Sequence, residues 1–354
     1  MQPAPQRFAA QPVTDWMAYL LAQSGMPQRD AQDVAGLIVR TEARGFATHG
    51  VVRLPSYLEK IASGEYNARA VVTVTRQPGG VCRLDGDGAL GQLAGLHAMR
   101  SCIDMVAEAP VAMCFARDLG HLGAVGIFPL LAAEQGLVAI AIQRTAPILA
   151  MPGSTGPLLG HNPIAFAAPV PGAAPIVFDM ASSVAARGHI LLAAARGEPI
   201  PQGWALDAHG QPTTDAQAAA DGMLLPTGGH KGLGIAMLGE FLAGSLSASM
   251  DDRDNLRAAK RGAGAHGGSS AFFCVLNPGF VGDRTTFETL VGDWTGSFRA
   301  HAGETARLPG HRAALAERSA LQQGLPIDPH TVQRLRELGR QHGVPFPASN
   351  PRSD

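Results

Sequence analysis

Whether this chain folds around a dinucleotide-binding βαβ unit depends on residues 86–91, which read GDGALG and match the pattern G-x-G-x-x-G. In such a unit the glycines form a turn between a strand and a helix, where backbone N–H groups bind a pyrophosphate. A helical stretch at about 90–107 and a strand at 111–115 follow the motif, and Asp118 could be the acid that binds the ribose. The motif alone therefore leaves this interpretation open.

Two features around the motif count against a dinucleotide site. Residues 70–85 read AVVTVTRQPGGVCRLD, which is typical of a β-hairpin with its turn at residues 78–80. The strand before the glycines would then pair with an antiparallel neighbour, unlike the first strand of a dinucleotide-binding unit. Asp87 would also place a carboxylate where the pyrophosphate should lie. We therefore reject a dinucleotide site at residues 86–91.

The composition predicts an ordinary soluble enzyme. A length of 354 residues suits two or three domains that share a large core. The net charge of -1 and the charged content of 16% argue against a nucleic-acid surface. No apolar run is long enough to span a membrane, and the N-terminus lacks the apolar core of a signal peptide. The scattered cysteines, Cys82, Cys102, Cys114 and Cys274, predict buried reduced thiols in a cytoplasmic protein and no metal site.

Apolar periodicity predicts helices at both ends of the chain and strands between them, which is an α/β pattern. Helices are expected within residues 13–46, after His49 to about Gly64, and at about 312–323 and 329–342. Strand-like runs lie at 137–142, 165–169, 176–179 and 272–276. Residues 1–12 are expected to be a loose arm, and the polar stretch 251–270 is expected to be mobile.

The stretch TEARGFATHGVVRLPSY, residues 41–57, holds the most suggestive chemistry. His49 can exchange a proton near neutral pH, and Thr48 beside it carries a hydroxyl. Arg53 is a permanent cation whose planar fork binds a carboxylate through two hydrogen bonds. The alternative interpretation is a helix start, with Thr48 as N-cap and the other two side chains exposed to solvent. The residues alone do not decide between these interpretations.

Motifs in one order along the chain resemble the malate/L-lactate dehydrogenase family, which is distinct from the Rossmann-fold lactate dehydrogenases. Besides the T-H-G segment they are GHLGAVG at 120–126, LLGHNPIAFAAP at 158–169, FDMASSVAARG at 178–188, GWALDAHGQPTTD at 203–215, LLPTGGHKGLG at 224–234 and RLPGHRA at 307–313. Family members also carry a D-G-x-x-x-L-G-Q stretch like that at residue 87 while binding their cofactor elsewhere, which again counts against the glycine motif.

The resemblance implies a non-Rossmann α/β fold and a homodimer with its sites near the subunit interface. A helical domain made of residues 1–72 and completed by 300–354 would pack on a mostly antiparallel or mixed sheet domain, residues 73–299, that binds the cofactor. The Gly- and Ala-rich segments would suit close packing between subunits.

The resemblance also implies roles in proton transfer and substrate binding. The hydroxyl residue and the histidine of the S-H-G motif, here Thr48 and His49, act in proton transfer, and Arg53 binds the substrate carboxylate. His121 is a rival proton donor. His161 is a further candidate for a substrate contact, with an ordinary loop histidine as the alternative, and Arg187 is a candidate second contact for the carboxylate. Imino-acid reductases of the family complete a relay with an aspartate at the position of His189, so this chain departs from that relay and from the imine preference that it implies.

For the cofactor the resemblance implies three binding segments and a basic C-terminal stretch. The candidates are His121, Leu122, Gly123, Ala124, Val125, Asp179, Met180, Ala181, His230, Lys231, Arg307 and Arg312. From the residues alone, the glycine-lined turn at 120–125 could instead be an ordinary helix start, and Lys231 a surface lysine. His311 replaces the usual acid beside Arg312, which favours the 2′-phosphate of NADPH over NADH.

These observations predict a cytoplasmic NAD(P)H-dependent oxidoreductase that acts on a small 2-oxo or 2-hydroxy acid or a cyclic 2-imino acid. Its partners would be a small carboxylate and a second copy of the chain, with no nucleic acid and no membrane. An alternative is a metabolite-binding relative without catalysis. A metal-dependent lyase is poorly supported, because the twelve histidines lack H-E-x-x-H or H-x-x-E-H spacing.

Overall fold

Helices at both ends of the chain pack against a central sheet. The computed structural model describes residues 5–247, 269–303 and 305–350, so most of the stretch 251–270, expected to be mobile, lies outside the described residues. The helices are α1 (Ala10–Gln23), α2 (Gln28–Ala43), α3 (Leu54–Ala62), α4 (Gly91–Met105), α5 (Ile127–Ala133), α6 (Arg187–Arg196), α7 (Ala216–Ala220), α8 (His230–Gly239), α9 (Pro278–Val281), α10 (Arg284–His301), α11 (His311–Gln323) and α12 (Pro329–Gln341). No helix in the described ranges is both long and apolar enough to cross a membrane.

The strands form three sheets. They are β1 (Gln6–Phe8), β2 (Thr73–Gln77), β3 (Val81–Ala89), β4 (Val111–Leu119), β5 (Val138–Arg144), β6 (Pro147–Leu149), β7 (Leu159–Gly160), β8 (Ile164–Val170), β9 (Ala173–Met180), β10 (Ala205–Leu206), β11 (Pro212–Thr213), β12 (Met223–Leu224), β13 (Ser269–Leu276) and β14 (Leu325–Ile327). The large sheet has the order β2-β3-β4-β13-β5-β8-β9, a smaller one the order β11-β10-β12-β6-β7, and β1 pairs with β14. Within the described chain, β3 and β4 are the parallel neighbours of the large sheet and its other pairs are antiparallel. The prediction of an α/β fold with a mixed sheet is confirmed.

The glycine motif lies largely inside a strand. β3 forms the predicted hairpin with β2, and it also pairs in parallel with β4, to which α4 connects it. A Cβ atom at Gly86 would lie 2.4 Å from the carbonyl oxygen of Asp118, and one at Gly91 would lie 2.4 Å from that of Gly120. Glycine is therefore required at both positions, because neighbouring backbone passes too close for a side chain. This packing accounts for two glycines of the motif.

The two ends of the chain share their core with the large sheet. Gln6–Phe8 pairs antiparallel with Leu325–Ile327, so the expected loose arm at residues 1–12 is wrong for these residues. One continuous cluster of buried apolar side chains extends from Phe8 through α4 and the large sheet to Phe346. A second cluster, which includes Leu149 and Ile190, lies around the smaller sheet. The segment between α2 and α3 contributes Val51 to the first cluster and contacts α2 and the last helix, α12.

Gly88→Ala is expected to lower the free energy of unfolding while leaving cofactor affinity within about twofold. Gly88 has a φ of +69°, a left-handed conformation in which a side chain costs about 1–2 kcal/mol. Chemical denaturation and a fluorescence titration with NADPH measure the two quantities. Gly64→Ala is the matched control, because Gly64 has a φ of +77° and open space around it. A folded Gly88→Ala variant that loses NADPH binding selectively would restore the dinucleotide interpretation of the motif.

Candidate active site

The segment between α2 and α3 carries three predicted site residues on two 3₁₀ turns, Ala47–His49 and Val51–Arg53. Oγ1 of Thr48 lies 2.9 Å from Nδ1 of His49, and Nε of Arg53 donates a hydrogen bond to the carbonyl oxygen of Thr48 at 2.6 Å. The next α-helix begins at Leu54 and has no side-chain cap, so Thr48 is not the N-cap of the alternative interpretation. Thr48 therefore holds both the imidazole and the guanidinium in place.

His121 lies beside His49, at the end of a buried polar chain. The two ring centroids are 5.5 Å apart, and the ring planes meet at 32°. Nδ1 of His121 lies 3.2 Å from Oη of Tyr57, which accepts a hydrogen bond from Nε2 of Gln92 at 2.8 Å. With Gln92 donating in this way, the tyrosine hydroxyl keeps its own proton to donate to Nδ1 of His121. Neutral His121 then carries its proton on Nε2 and can donate through that atom.

Burial keeps the imidazoles of this site neutral. It lowers the pKa of His49 to about 4, and the charges of Arg53 and His161 contribute to the same shift. Burial, with contributions from the charges of His49 and Arg53, lowers the pKa of His121 to about 3. Burial also lowers the pKa of His161. Of these three neutral imidazoles, those of His49 and His121 interact electrostatically with the permanently charged guanidinium of Arg53.

Arg53 has no acidic partner in the part of the chain that the structure describes. The ion pairs of that part involve other arginines and lysines. Its Nε is bound to backbone, while the planar fork of an arginine has five N–H donors in all. A half-buried guanidinium with unused donors, next to neutral histidines, favours a negatively charged ligand at this position.

The turn that carries His121 also offers donors for a phosphate. The buried side chain of Gln143 holds this turn: Oε1 accepts from the N–H of Leu122, and Nε2 donates to the carbonyl oxygen of Gly120, both at 3.1 Å. The N–H of Leu122 is thus already used. In the described chain the N–H groups of residues 123–125 form no hydrogen bond. Consecutive unpaired N–H groups form a site that suits an anion.

A cleft of about 760 Å³ begins at this turn. Asp179 lies in its wall, where burial raises the pKa of the carboxyl to about 6 although the N–H of Gly126 donates to it at 2.7 Å. Arg307 and Arg312 are exposed residues that also line it. Its other lining residues are Thr41, Arg44, Gly45, Phe46, Ala124, Ile127, Val177, Phe178, Thr305, Leu308, Pro309, Gly310, Ala313 and Ala316. The structure thus brings four predicted cofactor residues, Ala124, Asp179, Arg307 and Arg312, to one cleft.

Four buried polar atoms have no hydrogen-bond partner within the described chain. They are Nδ1 of His161, Oε1 of Gln92, and Oγ of Ser182 and of Ser183. Such an atom costs roughly 1–3 kcal/mol when it stays unpaired. The two serines directly follow residues 179–181, which are predicted to bind the cofactor. None of the four residues lines the cleft, so the fit to a large anionic ligand such as a nicotinamide dinucleotide depends on the unpaired N–H groups at 123–125 and on Arg307 and Arg312.

The structure does not bring every predicted site residue to these two places. Arg187 is exposed at the start of α6 and donates to the carbonyl oxygen of Ala220 at 3.3 Å. His189 is exposed and lies near Trp204, with ring centroids 6.4 Å apart. His230 and Lys231 are exposed at the start of α8, and neither lines the cleft. Met180 and Ala181 follow Asp179 along the chain, and neither lines the cleft.

Several buried polar residues that support the site were not predicted from the sequence. Gln92, Tyr57 and Gln143 hold the histidine turn, and Glu42 lies beneath the His49 segment. Two of them left a signal. Glu42 interrupts the apolar repeat of α2, and Gln92 follows the last glycine of GDGALG at once. A charge or amide inside an otherwise apolar helical pattern indicates a buried polar contact.

Comparison with known proteins gives one consistent result. Residues 8–336 match the family model described as malate/L-lactate dehydrogenase. The chain is 31% identical to a malate dehydrogenase of Pyrococcus horikoshii, with 92% of each chain covered. It is 33% identical to a Δ1-pyrroline-2-carboxylate reductase of Ancylobacter novellus, with 90% of this chain and 93% of that protein covered. The structure of a sulfolactate dehydrogenase from Methanocaldococcus jannaschii superposes with a TM-score of 0.83 at 27% identity, covering 96% of this chain and 98% of that one.

The family match spans most of the described chain and includes both candidate places, the histidine cluster and the cleft. The similar proteins are named as dehydrogenases and reductases. The family suggested by the sequence motifs is confirmed: this chain belongs to the malate/L-lactate dehydrogenase family and is an oxidoreductase.

Proposed function

We propose that this enzyme transfers a hydride between NAD(P)H and the C2 atom of a small carboxylic acid that carries a 2-oxo, 2-hydroxy or cyclic 2-imino group. One observation supports it most: the guanidinium of Arg53, with no acidic partner in the described chain, lies on the same short segment as His49. The ring centroid of His49 is 5.5 Å from that of His121. A carboxylate anchor and a proton-transfer group are what such a reaction needs beside its cofactor.

In this proposal the side chains of the histidine cluster bind the substrate and move the proton. Arg53 binds the carboxylate and orients C2, while the nicotinamide, when bound, supplies or accepts the hydride. His49 exchanges a proton with the substrate oxygen or nitrogen, and Thr48 fixes its ring through Nδ1. His121 positions the substrate through Nε2–H. The charge of Arg53 lowers the pKa of His49, and a bound carboxylate offsets that charge. The pKa of His49 therefore rises in the complex, and proton uptake becomes easier.

A panel of acids tests the proposal. The panel contains pyruvate, oxaloacetate and other 2-oxo acids, each with and without methylamine, and cyclic 2-imino acids with five- and six-membered rings. Each compound is assayed with NADH and with NADPH. Because His189 takes the place of the family's relay aspartate, we expect the 2-oxo acids to exceed the imines in kcat/KM. If no compound is turned over while NADPH still binds, the catalytic proposal is wrong.

We further propose that NADPH is the preferred cofactor, by at least about tenfold in kcat/KM, or roughly 1.4 kcal/mol. Arg307 and Arg312 line the cleft, and the acid that would neutralise Arg312 is replaced by His311. Arg312→Ala should reduce kcat/KM for NADPH and leave that for NADH nearly unchanged. Lys231 does not line the cleft, and Lys231→Ala is the comparison. If Lys231 contacts the pyrophosphate, which both cofactors share, its loss should reduce kcat/KM for NADPH and NADH equally. Equal use of NADH and NADPH by the unmodified enzyme would remove this argument.

We also propose a cytoplasmic homodimer in which a helical domain from both chain ends packs on a non-Rossmann sheet domain. Free buried thiols at all four cysteines suit a reducing compartment. The exposed apolar side chains of α9 and α10 support self-association. They include Val281, Leu290 and Trp294, which are 68%, 62% and 56% exposed, and of the residues in α10 only Thr295 is buried. Light scattering measures the mass in solution.

A further inference from the structure

Glu42 is a buried carboxyl directly beneath the segment that carries His49 and Arg53. It lies near the end of α2 and is 4% exposed. Its Oε2 accepts a hydrogen bond from the N–H of Val51 at 3.0 Å. Val51 begins the second 3₁₀ turn, the one that ends at Arg53. Glu42 therefore connects the middle of the segment 49–53 to helix α2.

The same carboxyl explains why a glycine follows His49. A Cβ atom at Gly50 would lie 1.9 Å from Oε2 of Glu42 and 2.9 Å from its Cδ. Gly50 has φ -86° and ψ -144°, so it is not in the left-handed region and does not need glycine for its backbone conformation. Space for the Glu42 carboxyl is what requires glycine at position 50.

Glu42 is kept in this place without a cation. In the described chain no arginine, lysine or histidine forms an ion pair with it. Burial raises the pKa of Glu42 to about 7, while the hydrogen bond from Val51 opposes the shift and the charge of Asp328, at the start of α12, adds to it. A buried acid without an ion pair is costly, so its presence at this position indicates a specific task.

We infer that Glu42 is a positioning residue that sets the register of the segment 49–53, and so the placement of the His49 imidazole and the Arg53 guanidinium relative to each other. This inference rests on the proposed function, because it assumes that both groups act on one substrate. It concerns geometry: the reach of the side chain to the N–H of Val51 matters, and the negative charge does not.

Three substitutions separate reach from charge. Glu42→Gln keeps the length and an acceptor oxygen, Glu42→Asp keeps the charge but is one methylene shorter, and Glu42→Leu keeps the bulk without an acceptor. We expect kcat/KM to fall by at least about tenfold in the Asp and Leu variants, because small displacements of catalytic groups have large kinetic effects. Glu42→Gln should stay within about threefold of the unmodified enzyme. Asp33→Asn is the matched control, since Asp33 lies on the same helix and pairs with Arg100 at the surface.

Two further measurements do not depend on turnover. The ring signals of His49 in NMR spectra, assigned by their loss in His49→Gln, should shift in the Asp and Leu variants and stay in place in Glu42→Gln and Asp33→Asn. The native state holds the Glu42 proton up to about pH 7, whereas an unfolded glutamate releases it near its usual pKa of 4.5. Stability therefore falls as the pH rises between these values. The Tm of Glu42→Gln relative to the unmodified protein should accordingly be higher at pH 8 than at pH 5.

Folded Asp or Leu variants with unchanged kinetics and unchanged His49 signals would overturn the inference. A Glu42→Gln variant as impaired as Glu42→Asp would also overturn it, because charge would then matter. If the Leu variant does not fold, the Asp and Gln pair still decides. If the unmodified enzyme turns over no acid of the panel, the proposed function fails, and the His49 signals alone decide whether Glu42 positions the segment.

Discussion

Replacement of His49 with alanine is expected to lower kcat by roughly 10²–10⁴ and to leave cofactor affinity nearly unchanged. The reason is that His49 is held by Thr48 through Nδ1, on the segment that also carries Arg53. In the proposed mechanism its loss removes the proton-transfer group from the transition state and leaves the cleft, which His49 does not line, unchanged. Steady-state kinetics in both directions and a fluorescence titration with NADPH measure the two effects. His342→Ala, an exposed histidine outside the site, is the control.

His121 is the competing proton donor, and its variant makes the test decisive. The hydrogen bonds from Gln92 to Tyr57 and from Tyr57 to His121 leave the proton of neutral His121 on Nε2. A donor at Nε2 suits a positioning role as well as proton transfer. His121→Ala should raise KM and should weaken cofactor binding, because the residue begins the turn with the free N–H groups at 123–125. Near-normal turnover without His49, together with a collapse in a His121 variant that still binds NADPH, would assign the proton to His121.

The pH dependence gives a second measure of the role of His49. In the free enzyme burial lowers its pKa to about 4, so His49 is neutral at every pH between about 5 and 8. Oxidation of a 2-hydroxy acid needs the neutral base, and kcat/KM reports the free enzyme. We therefore expect that protonation of His49 causes no loss of kcat/KM for the oxidation between pH 8 and pH 5.5. Reduction needs a proton, so its kcat should fall as the pH rises.

The helices, the hairpin and the α/β class could be predicted because they depend on local patterns. Apolar spacing in α1 and α2 and the Pro-Gly-Gly turn before β3 are complete within short windows. The pairing of Gln6–Phe8 with β14 could not be predicted, and the parallel pairing of β3 with β4 follows from the sequence only through the βαβ interpretation that was rejected. Each depends on a partner that is distant in sequence or lies beyond an intervening helix, and three-residue strands carry almost no periodicity of their own.

The side chains that meet at the candidate site could be selected from the sequence, but the residues that hold them in place could not. His49, Arg53 and His121 carry side chains whose chemistry is visible in the sequence. Glu42 accepts a hydrogen bond from the N–H of Val51, and Gln143 accepts one from the N–H of Leu122. Only the folded chain brings these groups near each other. The glycine motif shows the converse case. Its residues Gly86 and Gly91 satisfy a dinucleotide pattern, yet close backbone packing alone requires them.

Arg53→Lys is expected to raise KM for a 2-oxo acid by about tenfold and Arg53→Ala by more, since hydrogen bonds to a charged group contribute about 1.5–3 kcal/mol. An ammonium carries the charge but cannot form the paired hydrogen bonds of the planar fork. The substrate would then lie less squarely against the proton-transfer group, so kcat should fall as well. Thr48 would also lose the hydrogen bond from Nε of Arg53 to its carbonyl oxygen, which loosens the ring of His49.

The comparison of an acid with its amide isolates the carboxylate contact from these secondary effects. If Arg53 binds the carboxylate, the unmodified enzyme should prefer pyruvate to pyruvamide strongly. Arg53→Ala should lose most of that preference, because the looser His49 ring lowers kcat/KM for the acid and the amide alike while the lost carboxylate contact affects the acid alone. Added guanidine should restore part of the activity with pyruvate. Arg29→Lys, an exposed arginine at the start of α2, is the control. A preference for the acid that survives intact in Arg53→Ala would place the carboxylate on another cation, and Arg187 would be the first to test.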